Sequence, residues 1–467
     1  MTTSSFGPAM VTSRDLAVPT LGEPLIDSPL GELLDRHELS EHYVEESDRV
    51  LLDDTLSAVA ARNGDLPGFE PAGPRRRIFF EPSRTRAGIV TCGGLCPGLN
   101  DVIRGLTLEL SLTYGIRGVY GFRNGFQGFI PSLGHPVLQL TPEFVSSINE
   151  HGGTVLGSSR GEQNPAAVVD CLERMGINLL FVIGGDGAIR GAMKIEAEIA
   201  ARGKKIAVVG VPKTIDNDIM FLDQSFGFQT AISEATKYIS AAHVESTGSP
   251  NGVGLVKLMG RHSGFIACYA SLAISNVNFV LIPEVPFHLE GEGGMLAVLR
   301  RRLEKKGHAV IVVAEGACQD QMGTADTDAA GRGTDASGNQ RLTDVGSWLR
   351  DRITSHFHGI GMELNLKYID PSYAIRSVPA NPHDSVYCVR LAHNAVHAAM
   401  SGRTGMVVGR WHGRFVHLPM PLATRQRNTV DPHGDLWMSV LEATGAAANA
   451  GMGRTGSSAE HKIVQKI

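Results

Sequence analysis

A strand, a glycine turn and a helix in immediate succession constrain the fold of this chain most strongly. The apolar run Asn178–Ile183 predicts a buried strand, and the turn Gly184-Gly-Asp-Gly187 joins it to a run with helical spacing over Ala188–Ala200. This order is typical of parallel α/β units. Asp186 in the turn is well placed to hold hydrated Mg²⁺ on a nucleotide phosphate, but a plain turn with Asp186 as helix cap explains the same residues.

The stretch VGVPKTIDND contains the end of a second predicted strand, Ile206–Val211, and the acids Asp216 and Asp218 follow that strand end. In open α/β sheets, ligands collect outside the carboxyl ends of such strands. Lys213 could hold an anion there, and Asp216 could take a proton from a hydroxyl, because one turn carries both residues. A solvated turn with a helix-capping Asp is the alternative, and the two interpretations stay open on this stretch alone.

Further strand ends carry glycine loops and acids. Gly88–Cys92 predicts a strand that leads into the loop Gly93–Gly98, an arrangement that can cradle a phosphate, although a tight structural turn fits equally well. The predicted strand Ala309–Ala314 ends at Glu315, where a carboxylate can accept sugar hydroxyls. The segment Lys367–Arg376 suits a phosphate ester, and a surface ion-pair cluster explains it as well.

Composition excludes several classes of protein. The net charge of −5 and the pI near 6.4 give no global field that favours nucleic acid. The six cysteines show no metal-binding spacing, so we expect reduced thiols. The N-terminal residues lack a signal-peptide pattern, and no apolar run of about 18 residues predicts a membrane span. We therefore expect a cytoplasmic protein with neither nucleic-acid nor membrane partners.

The chain length of 467 residues suggests two or three domains, or one large α/β body with additions. Residues 1–75 have weak periodicity and are predicted to form an N-terminal extension, with a possible short helix over Glu32–Arg49. Residues 76–440 form the predicted body, in which the Gly-rich and Ala-rich segment 318–341 is expected to be mobile. Residues 441–467 are predicted to be a flexible tail.

Taken together, these blocks resemble the phosphofructokinase family, and most closely its long-chain branch from plants and trypanosomatids. The blocks occur in the family's order and spacing over about residues 75–440, and they are GGLCPGLNDVIR, VIGGDGAIRGA, VGVPKTIDND, GLVKLMGRHSGFIA, LIPEVPF, VAEGA and KYIDPSYAIR. The resemblance implies two interleaved Rossmann-like α/β domains, one for nucleotide and one for sugar phosphate. It also implies transfer of the γ-phosphoryl group of MgATP to the 1-hydroxyl of fructose 6-phosphate by a homo-oligomer, a dimer or a tetramer.

The resemblance assigns roles residue by residue. Asp216 is expected to accept the proton, with Lys213 and Arg261 as further catalytic residues. The residues expected to bind the nucleotide, with Asp186 as the Mg²⁺ ligand, are Gly94, Arg160, Gly161, Gly185, Asp186, Gly187 and Ala188. The residues expected to bind the sugar phosphate are Thr214, Ile215, Asp216, Met259, Gly260, Arg261, Glu315, Lys367, Tyr373, Ala374, Ile375 and Arg376.

This sequence departs from the family pattern at three positions. Ala188 stands where the family usually has Ser or Thr, so a hydroxyl contact to phosphate is absent there. Bacterial short-chain relatives carry an Arg near the position of Asn251 that reaches a neighbouring subunit's sugar phosphate, and a His at the position of Tyr373. Substrate affinity and allosteric behaviour therefore do not transfer from those enzymes.

Three alternatives compete with an ATP-dependent kinase. The first is a pyrophosphate-dependent enzyme, since in that branch an Asp fills the position of Gly187 and a Lys fills that of Lys213. Gly187 favours ATP, because a carboxylate at this position would repel the α-phosphate. Lys213 is compatible with either donor. A non-catalytic regulatory chain would be expected to lose Asp216 or Asp186, and both are present. A kinase of the NAD or lipid type would share GGDG but not PKTIDND or MGR.

Overall fold

A computed structural model describes residues 11–31, 43–322, 333 and 341–445 of the chain. Most of the helix expected within 32–49, most of the segment 318–341 and the tail from residue 446 lie outside the described residues. Among the helices that are described, none combines the length and the apolar character that crossing a bilayer requires.

Strands in the described part of the chain form three sheets. In chain order they are β1 (Ile26–Asp27), β2 (Val50–Leu51), β3 (Gly68–Pro71), β4 (Arg77–Ile78), β5 (Arg86–Thr91), β6 (Gly118–Phe122), β7 (Leu138–Gln139), β8 (Leu179–Gly184), β9 (Ala207–Pro212), β10 (Gly252–Leu258), β11 (Phe279–Leu281), β12 (His308–Ala314), β13 (Asn365–Ile369), β14 (Met406–Trp411) and β15 (Arg414–Pro419).

Helices connect and cover these strands. The α-helices span Leu56–Ala61, Leu99–Leu108, Pro165–Met175, Asp186–Ala201, Phe228–Thr247, Phe265–Ile274, Met295–Lys306, Val345–Gly359, Ser372–Ser377, Pro382–Met400, Met420–Ala423 and Asp435–Thr444. A π-helical turn, Glu109–Thr113, extends Leu99–Leu108, and shorter 3₁₀ turns lie at Pro82–Arg84, Gly125–Phe129, Pro131–Leu133 and Ile148–Glu150.

The largest sheet has nine strands in the order β2-β3-β15-β14-β9-β8-β5-β6-β7. Its centre, from β14 to β6, is parallel, and antiparallel strands extend both edges. Ile89 and Val209 pack on one face, and Val90 and Val208 pack on the other. Burial on both faces explains why these strands read as continuous apolar runs rather than as alternating patterns.

The second sheet has four parallel strands in the order β11-β12-β10-β13. Its faces are also both buried: Val253 and Ile311 contribute to one hydrophobic cluster, and Val256 and Val312 to another. A two-stranded ribbon, β1 with β4, completes the set. The parallel centre of the large sheet and the parallel smaller sheet agree with the predicted α/β class.

Residues before the predicted body take part in the large sheet. Strands β2 and β3 pair with each other, and β3 pairs with β15. Glu70 in β3 accepts hydrogen bonds from Arg75 and Arg403, and both of these arginines are buried. The division of the chain into an extension, a body and a tail stays a prediction.

Candidate active site

A cavity of about 820 Å³ opens where strand ends of the two parallel sheets face each other. Loops that follow β5, β8 and β9 line it from the large sheet, and loops that follow β10 and β12 line it from the smaller one. The lining residues are Cys92, Gly93, Gly94, Leu95, Phe126, Ser159, Arg160, Gly161, Glu162, Gly185, Asp186, Gly187, Ala188, Arg190, Lys213, Thr214, Ile215, Asp216, Asp218, Arg261, Glu315, Tyr373, Arg376 and Arg427. This is the position at which α/β proteins bind ligands.

The glycine turn after β8 forms one wall of this cavity. Gly185 is the N-cap of the helix Asp186–Ala201, so the first amide groups of that helix lie at the cavity and favour an anion. A Cβ on Gly184 would come within 2.3 Å of the Ala188 Cβ, so the turn is packed tightly behind the wall. A Cβ on Gly187 would meet nothing within 4 Å. The wall is therefore open at Gly187.

Cationic side chains converge on the glycine loop after β5. A Cβ on Gly94 would lie 3.7 Å from one guanidinium nitrogen of Arg160 and 4.0 Å from one of Arg376. The Lys213 Nζ donates a hydrogen bond of 2.8 Å to the Gly94 carbonyl, and burial lowers the pKa of this amine. Gly161, next to Arg160, has a φ of +100°, which favours glycine. These groups form a concentrated site for phosphate oxygens.

Asp216 carries the carboxylate that is best suited to act as a base. Its Oδ1 is buried and has no hydrogen-bond partner among the described residues. Burial, with the negative charges of Asp218 and Glu315, raises its pKa to about 8. Thr214 Oγ1 accepts a bond of 3.2 Å from the Asp216 amide, and Ser263 Oγ donates one of 3.2 Å to its carbonyl. These hydrogen bonds hold the main chain of Asp216 in place, while its Oδ1 can accept a proton from a substrate.

Two further carboxylates, Asp186 and Asp218, share one guanidinium group. Arg427 lies 2.6 Å from Asp218 Oδ2 through one nitrogen and 3.2 Å from Asp186 Oδ2 through the other. Thr214 Oγ1 donates to the second oxygen of Asp218 at 2.7 Å. Burial raises the pKa of Asp186, and the charge of Asp218 raises it further, whereas Arg427 opposes the shift.

This pair of carboxylates fits Mg²⁺. The part of the chain that the structure describes has no group of three or more His, Cys, Asp or Glu residues that could hold a metal ion. Mg²⁺, however, is commonly held by one or two carboxylates together with water and substrate phosphates. The guanidinium group of Arg427 already contacts both Asp186 and Asp218, so these two carboxylates are close enough to bind one cation together.

The wall opposite the glycine turn carries Arg261, Glu315 and Arg376. The negative charge of Glu315 is partly offset by the two arginines, although burial raises the pKa of its carboxyl group. A Cβ on Gly316 would lie 2.0 Å from the Arg261 carbonyl, so glycine allows these two loops to touch. The Arg376 guanidinium lies 5.1 Å from the ring centre of Tyr373, whose exposed fraction is 81%. An exposed aromatic ring and two arginines are suited to a polar phosphate ester.

Five predicted residues do not line the cavity. Met259 and Ile375 are buried in the hydrophobic cluster of the smaller sheet. Lys367 is exposed on β13, which is an edge strand, and Ala374 is also exposed. Gly260 has a φ of +123° and accepts a hydrogen bond from the Gly316 amide, so it shapes the loop behind Arg261.

Sequence reasoning did not identify Arg427, and it gave Asp218 no role. Asp218 belongs to the same motif as Asp216, so a second acid two residues away could have suggested a metal ligand. Arg427 lies in the stretch ATRQRN, which has no strand, glycine turn or acid beside it. Its place at the cavity depends on contacts between segments that are more than 200 residues apart, such as its ion pair with Asp218.

The parallel centre of the large sheet and the parallel smaller sheet meet around a glycine turn at a helix N-terminus, a carboxylate pair and a buried carboxylate without a hydrogen-bond partner among the described residues. This arrangement is that of an α/β protein suited to phosphoryl transfer. The family model described as Phosphofructokinase matches residues 86–399. The chain belongs to the phosphofructokinase family.

Relatives support this assignment over most of the chain. An ATP-dependent 6-phosphofructokinase of Amycolatopsis methanolica is 56% identical over 441 residues, which is 94% of this chain and 96% of that relative. ATP-dependent 6-phosphofructokinase 7 of Arabidopsis thaliana is 45% identical over 430 residues, covering 91% of this chain and 85% of the relative. The predicted family is confirmed, and the likeness to plant enzymes agrees with the predicted branch.

A solved structure confirms the fold class. The pyrophosphate-dependent phosphofructokinase of Marinobacter aquaeolei superimposes with a TM-score of 0.62, covering 75% of this chain and 87% of that one. Its sequence identity is 21%, so this likeness concerns the fold alone.

Proposed function

We propose that this protein transfers the γ-phosphoryl group of ATP to the 1-hydroxyl group of fructose 6-phosphate, which yields fructose 1,6-bisphosphate and ADP. One observation carries the proposal: the buried Asp216 Oδ1, without a partner among the described residues, faces the same cavity as the glycine turn at Gly185 and the cations Arg261 and Arg376. The names of the relatives, which are ATP-dependent 6-phosphofructokinases, support the substrates.

Asp216 acts as the general base. The bond between the γ-phosphorus and the bridging oxygen of ATP breaks, a bond from the γ-phosphorus to the sugar O1 forms, and the hydroxyl proton moves to Asp216 Oδ1. The raised pKa makes the ionised carboxylate a stronger base toward an alcohol. Because the carboxylate Oδ1 makes no protein hydrogen bond in the described structure, no such bond has to break before the proton arrives.

The remaining residues position the phosphates and neutralise their charge. Arg160 and Lys213, beside the Gly94 loop, take the phosphates of the nucleotide, with help from the amide groups at the start of the helix Asp186–Ala201. Arg376 and Arg261 take the 6-phosphate of the sugar. Holding both reactants in line supplies most of the catalysis in phosphoryl transfer, since the protein does little covalent chemistry.

Asp186 and Asp218 are the residues that would hold Mg²⁺. When bound, the ion neutralises charge that develops on the transferred phosphoryl group and on the leaving oxygen. Both carboxylates line the cavity together with the base Asp216 and the open position Gly187, so an ion that they held would lie beside these residues.

ATP is the donor because Gly187 adds no side chain to the wall. The space beside it is open, since a Cβ there would meet nothing within 4 Å. Lys213 is compatible with either donor.

A homo-oligomer and a cytoplasmic location complete the proposal, and both are supported by the family resemblance alone.

The proposal is tested by assaying the purified protein with fructose 6-phosphate and Mg²⁺, once with ATP and once with pyrophosphate. Fructose 1,6-bisphosphate is measured through aldolase. We expect product with ATP and little with pyrophosphate. Absence of product with ATP, from protein that binds the nucleotide and is folded by circular dichroism, would contradict the proposed activity.

A further inference from the structure

Arg427 joins the two carboxylates that the proposed function assigns to the metal. Its two terminal nitrogens contact the Oδ2 atoms of Asp218 and Asp186, at 2.6 and 3.2 Å. The Asp218 side chain is only 6% exposed, whereas that of Arg427 is 31% exposed. A buried carboxylate thus depends for its counter-charge on a residue that retains access to solvent.

The backbone around Arg427 is fastened to both sides of the cavity. Arg427 forms an isolated β-bridge with Ile219, and the Asn428 amide donates to the Asp218 carbonyl at 2.8 Å. The amide of Val430, three residues after Arg427, donates a hydrogen bond of 2.8 Å to Glu284 Oε1.

Glu284 connects this segment to the opposite wall. Its Oε1 also accepts the amide of Gly264 at 2.9 Å, and Gly264 follows closely on Arg261 in the chain. The backbone that carries Arg427 is therefore held in place by contacts that do not involve its guanidinium. The side chain can leave the carboxylates without unfastening the segment.

We propose that Arg427 is a positioning residue that substitutes for the metal ion: it holds Asp186 and Asp218 together while no metal is bound, and it gives up both carboxylates when Mg²⁺ arrives with the nucleotide. This inference rests on the proposed function, which makes the two carboxylates the metal ligands. One Mg²⁺ ion and one guanidinium compete for the same two oxygens, so they exclude each other.

The exchange has a consequence for the free enzyme. Two carboxylates that face each other without a counter-ion would attract any divalent cation, whereas the Arg427 pair satisfies them. After its release, the Arg427 guanidinium still lines the cavity, which then contains the nucleotide phosphates. Its positive charge can therefore pair with a phosphate group in place of the carboxylates. Metal binding to the free enzyme is thereby weakened, and metal binding with the nucleotide is retained.

The test uses Mn²⁺ as the probe and omits nucleotide. Free Mn²⁺ is measured by electron paramagnetic resonance during titration of the full chain. We expect Arg427→Gln to bind one Mn²⁺ roughly tenfold or more tightly than the wild type, on the scale of a coupling between two sites. Arg427→Lys keeps a charge but not the two-pronged geometry, so its affinity should lie between the two.

Arg425→Gln is the matched control. Arg425 lies two residues away on the same segment and pairs with Asp15 at 3.1 Å, outside the cavity lining. This variant should bind Mn²⁺ as the wild type does. If Arg427→Gln and Arg427→Lys both bind Mn²⁺ no more tightly than the wild type does, the proposed exchange is wrong.

Thermal unfolding separates this exchange from a purely structural role. A structural role would lower the melting temperature of Arg427→Gln without tightening Mn²⁺ binding, and that result would overturn the proposal. If the Gln variant does not fold, Arg427→Lys provides the same comparison. The wild-type assay with ATP tests the proposed function separately, because Mn²⁺ binding by the free enzyme requires no turnover.

Discussion

The substitution Gly187→Asp tests how this enzyme selects its phosphoryl donor. Gly187 lies in the first turn of the helix Asp186–Ala201, at the open wall of the cavity. A Cβ added there meets nothing within 4 Å, and the residue is not among those with a positive φ. The fold should therefore accept a side chain at this position, in the part of the cavity that the proposed function assigns to the nucleotide.

The expected effect follows from the charge that Asp adds. Two unit negative charges about 4 Å apart at an effective dielectric near 20 repel each other by roughly 4 kcal/mol. That corresponds to nearly three decades of ATP affinity. We expect pyrophosphate, which has no α-phosphate or nucleoside, to end before this position and to escape the repulsion; Lys213 lines the same cavity and can meet it.

The assay compares kcat/KM for ATP and for pyrophosphate at saturating fructose 6-phosphate. Gly187→Asp should lose about two to three decades of kcat/KM with ATP and gain relative activity with pyrophosphate. Gly187→Ala and Gly187→Asn are the controls: Ala adds the Cβ alone, and Asn adds the size of Asp without its charge. If Asn lowers kcat/KM as much as Asp does, size rather than charge is responsible. Faster wild-type turnover with pyrophosphate than with ATP would refute the reasoning about Gly187 and leave Lys213 as the better indicator.

Three further predictions concern the base, the sugar phosphate and the pH dependence of stability. Asp216→Asn should lower kcat by roughly 10²-fold or more with little change in substrate affinity, and near-normal turnover would remove Asp216 from the mechanism. Arg376→Ala should raise the KM for fructose 6-phosphate by roughly tenfold, about 1.4 kcal/mol; a loss of ATP affinity alone would contradict this assignment. His397 is buried, and burial and the charges of His393, Arg75 and His417 lower its pKa to about 3. The unfolded state therefore binds more protons, so this residue should lower the free energy of unfolding by about 1.4 kcal/mol per pH unit as pH falls below about 6.5. His397→Gln should flatten that part of the urea-unfolding profile, and an unchanged slope would show that other groups titrate there.

Secondary structure and the glycine turns could be predicted from local patterns. Strands β8 and β9 are each displaced by one residue from their predicted limits, Asn178–Ile183 and Ile206–Val211. These strands are buried on both faces, so their apolar residues are continuous in sequence and easy to recognise. The turn at Gly184–Gly187 was recognisable because a carboxylate between glycines follows such a run.

The sequence by itself determined the class of fold, the loops that form the cavity and the residues of its central motifs, because each of these depends on neighbours within about ten positions. Tertiary structure alone decided which side chains face the cavity. Ile375 is buried in a hydrophobic cluster, whereas its neighbour Arg376 lines the cavity, since a helix turns adjacent residues to different faces. Arg427 reaches Asp186 and Asp218 only because the folded chain brings together segments more than 200 residues apart, and no local pattern records a contact between segments so distant.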